Sequence, residues 1–418
     1  MTNTVRENSN TQDPVELRNR LVEQIIARHQ QLGVVLAPEV EAALRAVPRH
    51  LFTPGAPLDQ AYANTAVITK RAERGTALSS VSAPTVIAMM LGLLNVQPGQ
   101  RVLELGSGGY NASLLRELVG PDGSVTSLDI DPDVVQRARE CLAAAGYDDV
   151  RVRLGDGEFG WAPDAPFDRI IATAGAWDLP PAWLEQLSAG GRLVVPLRTR
   201  GMTRAWALER AEGHLASHGH MMCGFVPFQG AGGHQGHSVP LHGQEVGLWI
   251  DEERAPDVEA LRGVLEQPRA EAWSGVTVAR GVAFSDLELW LAASLPGFGV
   301  LTAQPEAIER GLVAPGWAHG TAAVIEGGTL AYRAKLRAVP DPDSGQDLNE
   351  FGAYAHGPDA EGAAARLAEE IHRWDELGRP APRLSVHPAD TPAAELPSGF
   401  VLHKRHTTMV LSGPDHAG

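Results

Sequence analysis

Three carboxylates stand where this sequence passes from an apolar run into a turn. Glu104 lies in VLELGSGGYNASLL (102–115), Asp129 closes SVTSLDI (124–130), and Asp156 sits in LGDG (154–157). The first acid is followed by Gly106, Gly108 and Gly109, and a glycine cluster between a strand and a helix lets backbone approach a nucleotide closely. Acids at the ends of successive strands accept hydrogen bonds from hydroxyl and amino groups and attract positive charge. One more residue is placed for chemistry. Ser82, in SVSAP (80–84), stands at the start of an apolar, helix-like run, where a hydroxyl and helix N–H groups together can cradle a carboxylate.

The glycine pattern decides between nucleotides only in company with the acids. A dinucleotide turn wants G-x-G-x-x-G, its third glycine packing helix against strand. Here Gly106, Gly108 and Gly109 lead into Tyr110, Asn111 and Ala112, so the pyrophosphate version is imperfect. S-adenosylmethionine has no pyrophosphate but carries an ammonium and a sulfonium, and Glu104 two residues before the first glycine suits that charge. Asp129, 21 residues after Gly108, is placed for the ribose hydroxyls, and Asp156 for the adenine amino group. Glu104 and Asp129 could instead merely cap the turns that follow them. The recurrence of all three acids at the carboxyl ends of successive strands, where open α/β sheets bind ligands, favours an S-adenosylmethionine site. Its expected lining is Glu104, Gly106, Ser107, Gly108, Asp129, Ile130, Asp156 and Gly157, with S-adenosylhomocysteine as the product.

The elements needed to hold these residues are legible in the pattern. DPVELRNRLVEQIIARHQQ (13–31) and Ala37 to Val47 predict two helices. The stretch 55–80 reads as loop, and Pro84 to Leu94 as helix. From 101 onward strands RVLEL, SVTSLDI, VRVRLGD, FDRIIATA and GRLVVPLR alternate with helices ASLLRELVG, DPDVVQRARECLAAAG and LPPAWLEQLSAG. That alternation implies right-handed βαβ units around a mainly parallel sheet. The fold class expected is α/β: a Rossmann-like methyltransferase domain over 1–230 (helices 13–95, sheet 100–230) and a smaller α+β domain over 231–418. In the second region GAGGHQGHSVPLHGQ reads as a linker and FSDLELWLAASL as a helix with a Ser285–Glu288 capping box and a Phe284–Leu289 staple. TAAVIEGGTLAYRAKL reads as a hairpin turning at Gly327–Gly328, EGAAARLAEEIHRWDELG as a helix and GFVLHKRHTTMVLSG as one final strand.

Bulk properties exclude other classes. The chain has 418 residues and a net charge of −16, against the basic face that nucleic acid requires. No apolar run approaches a membrane span, and the polar N-terminus carries no signal region. Cys141 and Cys223 read as reduced core thiols. A cytoplasmic enzyme acting on a peptide, with no nucleic acid and no membrane, is the expectation. His214, His218, His220, His234, His237 and His242 could suggest zinc, but no cysteine or carboxylate framework accompanies them and a polar linker is the preferred reading.

Longer stretches resemble the protein-L-isoaspartate O-methyltransferases: VPRHLFTP (47–54), QAYAN (60–64), SVSAPTVIAMM (80–90), VLELGSGGYN, GDGEFGW (155–161), PFDRIIATAGAWDLPPAWLEQLSAGGRLVVPL (166–197) and GFVPFQG (224–230). The resemblance implies transfer of a methyl group to a peptide aspartyl or isoaspartyl carboxylate, followed by closure to a succinimide. It implies that Ser82, as catalytic residue, contacts the acceptor, with Ser80 and Ala83 beside it, and that Trp161 packs near the adenine. Two features depart from the family. Asn64 stands at an aspartate position, and VITKRAERGTALSSV (67–81) is longer and brings Lys70, Arg71 and Arg74. That loop reads either as solvated and mobile or as a clamp for an acidic peptide. With the C-terminal region, these departures resemble an actinobacterial subgroup that modifies ribosomally made precursors such as lanthipeptides and graspetides. Three functions stand open: a dedicated aspartyl methyltransferase, a general repair enzyme, and a non-catalytic S-adenosylmethionine-binding scaffold. The intact acid series opposes the last.

Overall fold

The computed structural model describes residues 13–413 apart from 74, 235, 252–256, 258 and 342–344. Helix α1 (Pro14–Gln31) opens under an Asp13 cap, whose carboxylate accepts from the Val15 N–H at 2.9 Å, and buries Leu21, Val22 and Ile25. α2 (Pro38–Ala46) and the single turn α3 (Leu58–Ala61) follow. The region expected as loop is an antiparallel hairpin, β1 (Val67–Arg71) and β2 (Ala77–Val81), with Gly75 at φ +84° in its turn. Val67, Ile68 and Thr69 on one arm and Val81 on the other supply the extended propensity that the charged turn concealed. α4 (Pro84–Leu94) buries Ile87, Ala88, Met90, Leu91 and Leu94 against α1 and the sheet.

The parallel core follows the expected grammar: β3 (Arg101–Leu105), α5 (Tyr110–Val119), β4 (Ser124–Asp129), α6 (Pro132–Ala145), β5 (Arg151–Leu154) and β6 (Phe167–Ala172). α7 (Pro181–Gln186) is shorter than LPPAWLEQLSAG suggested. The strand β7 (Leu187–Thr199) begins at once, and its glycines, poor helix formers, lie in the strand. β8 (Met202–Ala211) and β9 (His214–Met222) then add antiparallel to β7.

Strands β10 (His237–His242), β11 (Val246–Ile250) and β12 (Ala270–Val278) start a second sheet, so the histidine-rich segment ends in a strand rather than running on as linker. α8 (Ser285–Ser294), β13 (Phe298–Ala303), α9 (Pro305–Glu309), β14 (Thr321–Glu326), β15 (Thr329–Arg333), β16 (Arg337–Pro340), β17 (Asp347–His356) and α10 (Ala360–Glu376) complete it. The β14–β15 hairpin turns at Gly327–Gly328 as the sequence suggested. The capping box does not form. Phe284 takes the cap position without a side-chain bond, because the Glu288 carboxylate is drawn to Arg333 and the Ala322 N–H. Phe284 and Leu289, the expected staple, fall in different core clusters.

The final residues form β18 (Arg383–Pro388) and a hairpin, β19 (Phe400–His403) and β20 (Thr407–Ser412), where one strand was expected. β18 pairs with β9 through Val386 and Leu215. The first sheet therefore has ten strands in the order β19-β20-β18-β9-β8-β7-β6-β3-β4-β5. The expected division at residue 230 does not follow the sheets, since the chain's last strands return to the first one. β3 lies between β4 and β6, so the strand order reverses there and a crevice opens at the carboxyl ends.

Candidate active site

The loop after β3 is held by its own backbone. Gly106 has φ +97°, and a Cβ there would lie 2.5 Å from Thr173 Oγ1, so only glycine fits. Thr173 Oγ1 donates to the Gly106 carbonyl at 2.8 Å. The Ser107 N–H donates to Asp129 Oδ2 at 2.8 Å, and the Asp131 N–H to Oδ1 at 2.9 Å. Burial raises the Asp129 carboxyl despite these two donors, which pull it down. Asp129 is thus fixed at the end of β4 with capacity left to accept more bonds. The Ser107 hydroxyl is buried without a partner.

Glu104 behaves differently from its expected role as a direct contact. It is wholly enclosed, accepting from Asn111 Nδ2 at 2.8 Å and from the Ser127 hydroxyl. Burial pushes its carboxyl up to about 7. Asp156 accepts from the Glu158 N–H (2.9 Å) and from the Ala231 N–H (2.8 Å), tying the 156–159 turn to the segment after Phe228. Gly157 sits so close to the Phe228 ring that a Cβ would meet it at 2.7 Å. Trp161 is anchored by its N–H to Gln186 Oε1 at 2.7 Å and lies against Gly155.

Two clefts meet here. One is lined by Gly106, Ser107, Gly108, Asp129, Ile130 and Gly157. The second holds Ser82 with Tyr110, Asn111 and Phe225. Ser80, Gly108 and Thr173 line both. Of the expected residues, these eight come together: Ser80, Ser82, Gly106, Ser107, Gly108, Asp129, Ile130 and Gly157. Glu104 and Asp156 line neither cleft and act from beneath and behind. Ala83 faces a separate groove. No side chain caps α4, whose cap position is Ala83, so the Ser82 hydroxyl is not spent on the helix end. The donor set fits S-adenosylmethionine: a glycine path without Cβ atoms, an unused buried hydroxyl, an acid on the wall (Asp129) with acceptor capacity left and a second acid buried nearby (Glu104).

The basic hairpin is engaged rather than free. Lys70 Nζ lies 2.6 Å from Asp131 and 2.8 Å from Asp133, whose carboxylates raise its amine. Arg71 donates to the Gly75 carbonyl within the turn (2.8 Å), and Arg137 of α6 reaches Thr69 (3.1 Å) and Ser79 (3.3 Å). The acids that open α6 have therefore recruited the lysine expected to clamp peptide. Arg74 lies outside the described residues. Asn64 exchanges two bonds with Thr85, at 2.7 and 3.0 Å, and pins the start of α4 beside Ser82.

Sequence reasoning missed the turn of the last hairpin. Arg405 donates to Glu158 Oε1 (3.2 Å) and to the Ala231 carbonyl (2.9 Å). His406 Nε2 lies 3.1 Å from Glu158 Oε1. Lys404 is buried, its amine pushed down to about 8 by burial, and donates to the Arg198 and Trp177 carbonyls. The run HKRH (403–406) was the available signal, but nothing local says that it meets a turn 247 residues away. Among the described residues no three histidine, cysteine or acidic side chains gather as metal ligands; His234 stacks on Trp177 instead, with ring centroids 3.8 Å apart.

Comparisons with known proteins bear on this geometry. The family model described as protein-L-isoaspartate(D-aspartate) O-methyltransferase matches residues 19–232. A protein-L-isoaspartate O-methyltransferase of Methanopyrus kandleri is 40% identical over 219 residues, 52% of this chain and 94% of that protein. One from Archaeoglobus fulgidus is 40% identical over 183 residues, 44% of this chain and 78% of that protein. Among solved structures, a protein-L-isoaspartate O-methyltransferase covers 88% of this chain and 96% of its own at 18% identity and a TM-score of 0.48. A Plasmodium falciparum relative, solved with S-adenosyl-L-homocysteine, covers 50% of this chain and 97% of its own at 18% identity and a TM-score of 0.42.

Proposed function

The chain belongs to the protein-L-isoaspartate(D-aspartate) O-methyltransferase family, whose members are S-adenosylmethionine-dependent carboxyl methyltransferases, and on that premise we propose that its acceptor is an aspartyl side-chain carboxylate in a dedicated precursor peptide. The observation that carries this reading is the junction of the two clefts at Ser80, Gly108 and Thr173, with Ser82 on the acceptor side. The substitution at Asn64 and the large region beyond the family match support a specialised peptide, of the lanthipeptide or graspetide kind, over damaged protein at large.

The chemistry asks little of protein bases. A carboxylate, with an ordinary pKa of about 4, is already the nucleophile near neutral pH. When bound, S-adenosylmethionine supplies an electrophilic methyl on a cationic sulfur. The Ser82 hydroxyl donates to one acceptor oxygen and leaves the other directed across the junction. Asp129 holds the ribose, the Gly106–Gly108 backbone sets the depth of the donor, and the apolar walls of Tyr110, Ile171 and Phe225 exclude water. Positioning and desolvation supply the rate gain. The methyl ester then closes to a succinimide with loss of methanol, and water opens that ring to aspartate or isoaspartate.

The second reading is repair of isoaspartyl damage, favoured by the names of the family relatives themselves. Methyl transfer followed by mass spectrometry, using an isoaspartyl peptide and its aspartyl twin, separates the two. Methylation of the aspartyl peptide in a sequence-dependent way supports the dedicated function. Methylation of only isoaspartyl peptides, whatever their sequence, establishes repair and removes it.

A further inference from the structure

Behind Ser82 a second, much larger depression runs between α1, the start of α4, β9 and the C-terminal sheet. Ala83, the chain neighbour of Ser82, and Thr85 are among its lining residues. Its volume is about 2260 Å³, more than twice the upper range of roughly 300–1,000 Å³ for small-molecule sites. It has room for an extended chain segment, not merely a metabolite. Four arginines line it, Arg28, Arg204, Arg333 and Arg383, against two carboxylates, Asp286 and Glu288, in a protein of net charge −16.

Its floor is unsaturated. Arg204 is 1% exposed, and its Nε and Nη1 have no hydrogen-bond partner. The nearest carboxylate oxygen, Asp286 Oδ1, stays 4.0 Å from Nη1, beyond bonding reach. Arg333, 3% exposed, spends Nε on Glu288 and keeps Nη1 unpaired. Both arginines are tied to the opening turn of α8, Arg204 through the Ser285 carbonyl and Arg333 through Glu288. That turn has no side-chain cap, so its N–H groups add to the positive field. Buried guanidinium donors left unmade are costly, and an incoming carboxylate would satisfy them. His220, beside Arg204 on the same floor, also has an unpartnered buried ring nitrogen.

We propose that this groove binds an extended acidic segment of the peptide next to its acceptor residue, with a side-chain carboxylate seated on the unused N–H groups of Arg204. The proposal rests on the peptide methyltransferase reading and names a feature of its substrate: acidic side chains set apart from the modified aspartate. The exposed Arg28 and Arg383 provide long-range attraction at the rim, and the buried pair provides the specific contact.

The test uses the full chain and a fluorescent, glutamate-rich, C-terminally amidated peptide that contains no aspartate, so binding is read without methyl transfer. Fluorescence anisotropy is expected to show binding that weakens with salt and exceeds that of the glutamine twin. Arg204→Gln should weaken it roughly tenfold, the weight of a lost charge-assisted hydrogen bond, while S-adenosylhomocysteine affinity stays unchanged. Should Arg204→Gln fail to fold, the rim pair Arg28→Glu with Arg383→Glu decides, with a loss of about threefold or more. Equal binding of the glutamate and glutamine peptides, indifference to the variants that fold, or a requirement for a free C-terminal carboxylate overturns the proposal. Acidic-peptide binding without methyl transfer to any peptide would sink the enzymatic reading and leave the groove. Methyl transfer without acidic preference would do the reverse.

Discussion

The cleft proposed for the cofactor, at the ends of β3, β4 and β6, is lined by carboxylates and backbone amides, whereas the groove on the far side of Ser82 is lined by arginines. The cleft has Asp129 on its wall and Glu104 and Asp156 around it; the groove has Arg204 and Arg333 on its floor. The two charge patterns match two different partners, a cationic methyl donor and an anionic acceptor peptide. They also differ in construction. The cleft is made mostly of residues that follow the ends of β3, β4 and β6, closed by β2 and residues 226–229, and its geometry is set by φ angles and main-chain bonds. The groove is assembled from α1, β8, β9, α8, β15 and β18, and its geometry is set by how two sheets meet.

Ser82 marks the boundary, so changing it breaks the comparison hardest. Ser82→Ala is expected to lower kcat by roughly 10²-fold, the scale of one lost hydrogen-bond donor at a reacting oxygen. The cofactor Kd, read by calorimetry, should move little. A collapse of cofactor affinity instead would assign Ser82 to the acidic cleft and erase the boundary.

Glu104 gives the next largest effect, this time on stability. Its carboxyl titrates near 7 in the folded protein against an ordinary 4.5. Between those values the unfolded chain has released the proton that the native chain still holds, so stability falls as pH rises from about 4.5 to 7. The ceiling is about 3 kcal/mol. Glu104→Gln removes that dependence and gives up one acceptor, worth about 1 kcal/mol. Its Tm should be nearly flat across this window and exceed the parent's at pH 8. A parallel decline in the variant would show that another group is responsible. A cation bound above Glu104 favours its ionised form, so cofactor binding near neutral pH should release protons, measurable as a buffer-dependent heat.

This contrast also explains what was legible in the sequence. The parallel core, the glycine loop and the placement of Asp129 beside it could be read because each is defined by spacing along strand–turn–helix units, and the position of Ser82 because it stands just before the start of α4. The ion pairs of Lys70 could not be foreseen because its partners, Asp131 and Asp133, lie at the start of a different element, the helix α6, and a charge run alone does not say which acids it will meet. Ser285 and Glu288 had the spacing of a capping box, yet Arg333, far along the chain, outcompeted the helix end for the carboxylate. The arginine groove left no local trace. Arg204 stands near the start of β8, between Thr203 and the apolar run Ala205–Leu208, where nothing in the local pattern marks it as buried, and its burial is decided by α8 folding over it.

Within the cleft, Asp129→Asn sharpens the comparison at smaller scale. Asparagine keeps one acceptor oxygen, so either the Ser107 or the Asp131 N–H loses its partner. The cofactor Kd should rise about tenfold, in line with one hydrogen bond to a charged acceptor, and binding of an acidic peptide in the groove should not weaken. If peptide affinity fell equally, the two regions would not be separable by charge.

The smallest expected effect tests whether the C-terminal hairpin belongs to the cleft at all. Arg405 stands half-exposed over Glu158 and the Ala231 carbonyl, while the Ala231 N–H holds Asp156. Gly157, between those two acids, lines the cleft with Phe228. The guanidinium thus ties together both sides of the lip where the adenine would lie. Exposed ion pairs contribute about 0–1 kcal/mol, so Arg405→Ala should raise the cofactor Kd by at most about fivefold. The peptide KM should stay constant, since the groove lies on the other side of Ser82. His406 shares Glu158 and would retain part of the tie, which makes the double change Arg405→Ala with His406→Ala the larger of the two. An unchanged cofactor Kd in that double variant, with a lowered Tm, would make the hairpin an anchor for β18–β20 and no part of the cofactor site.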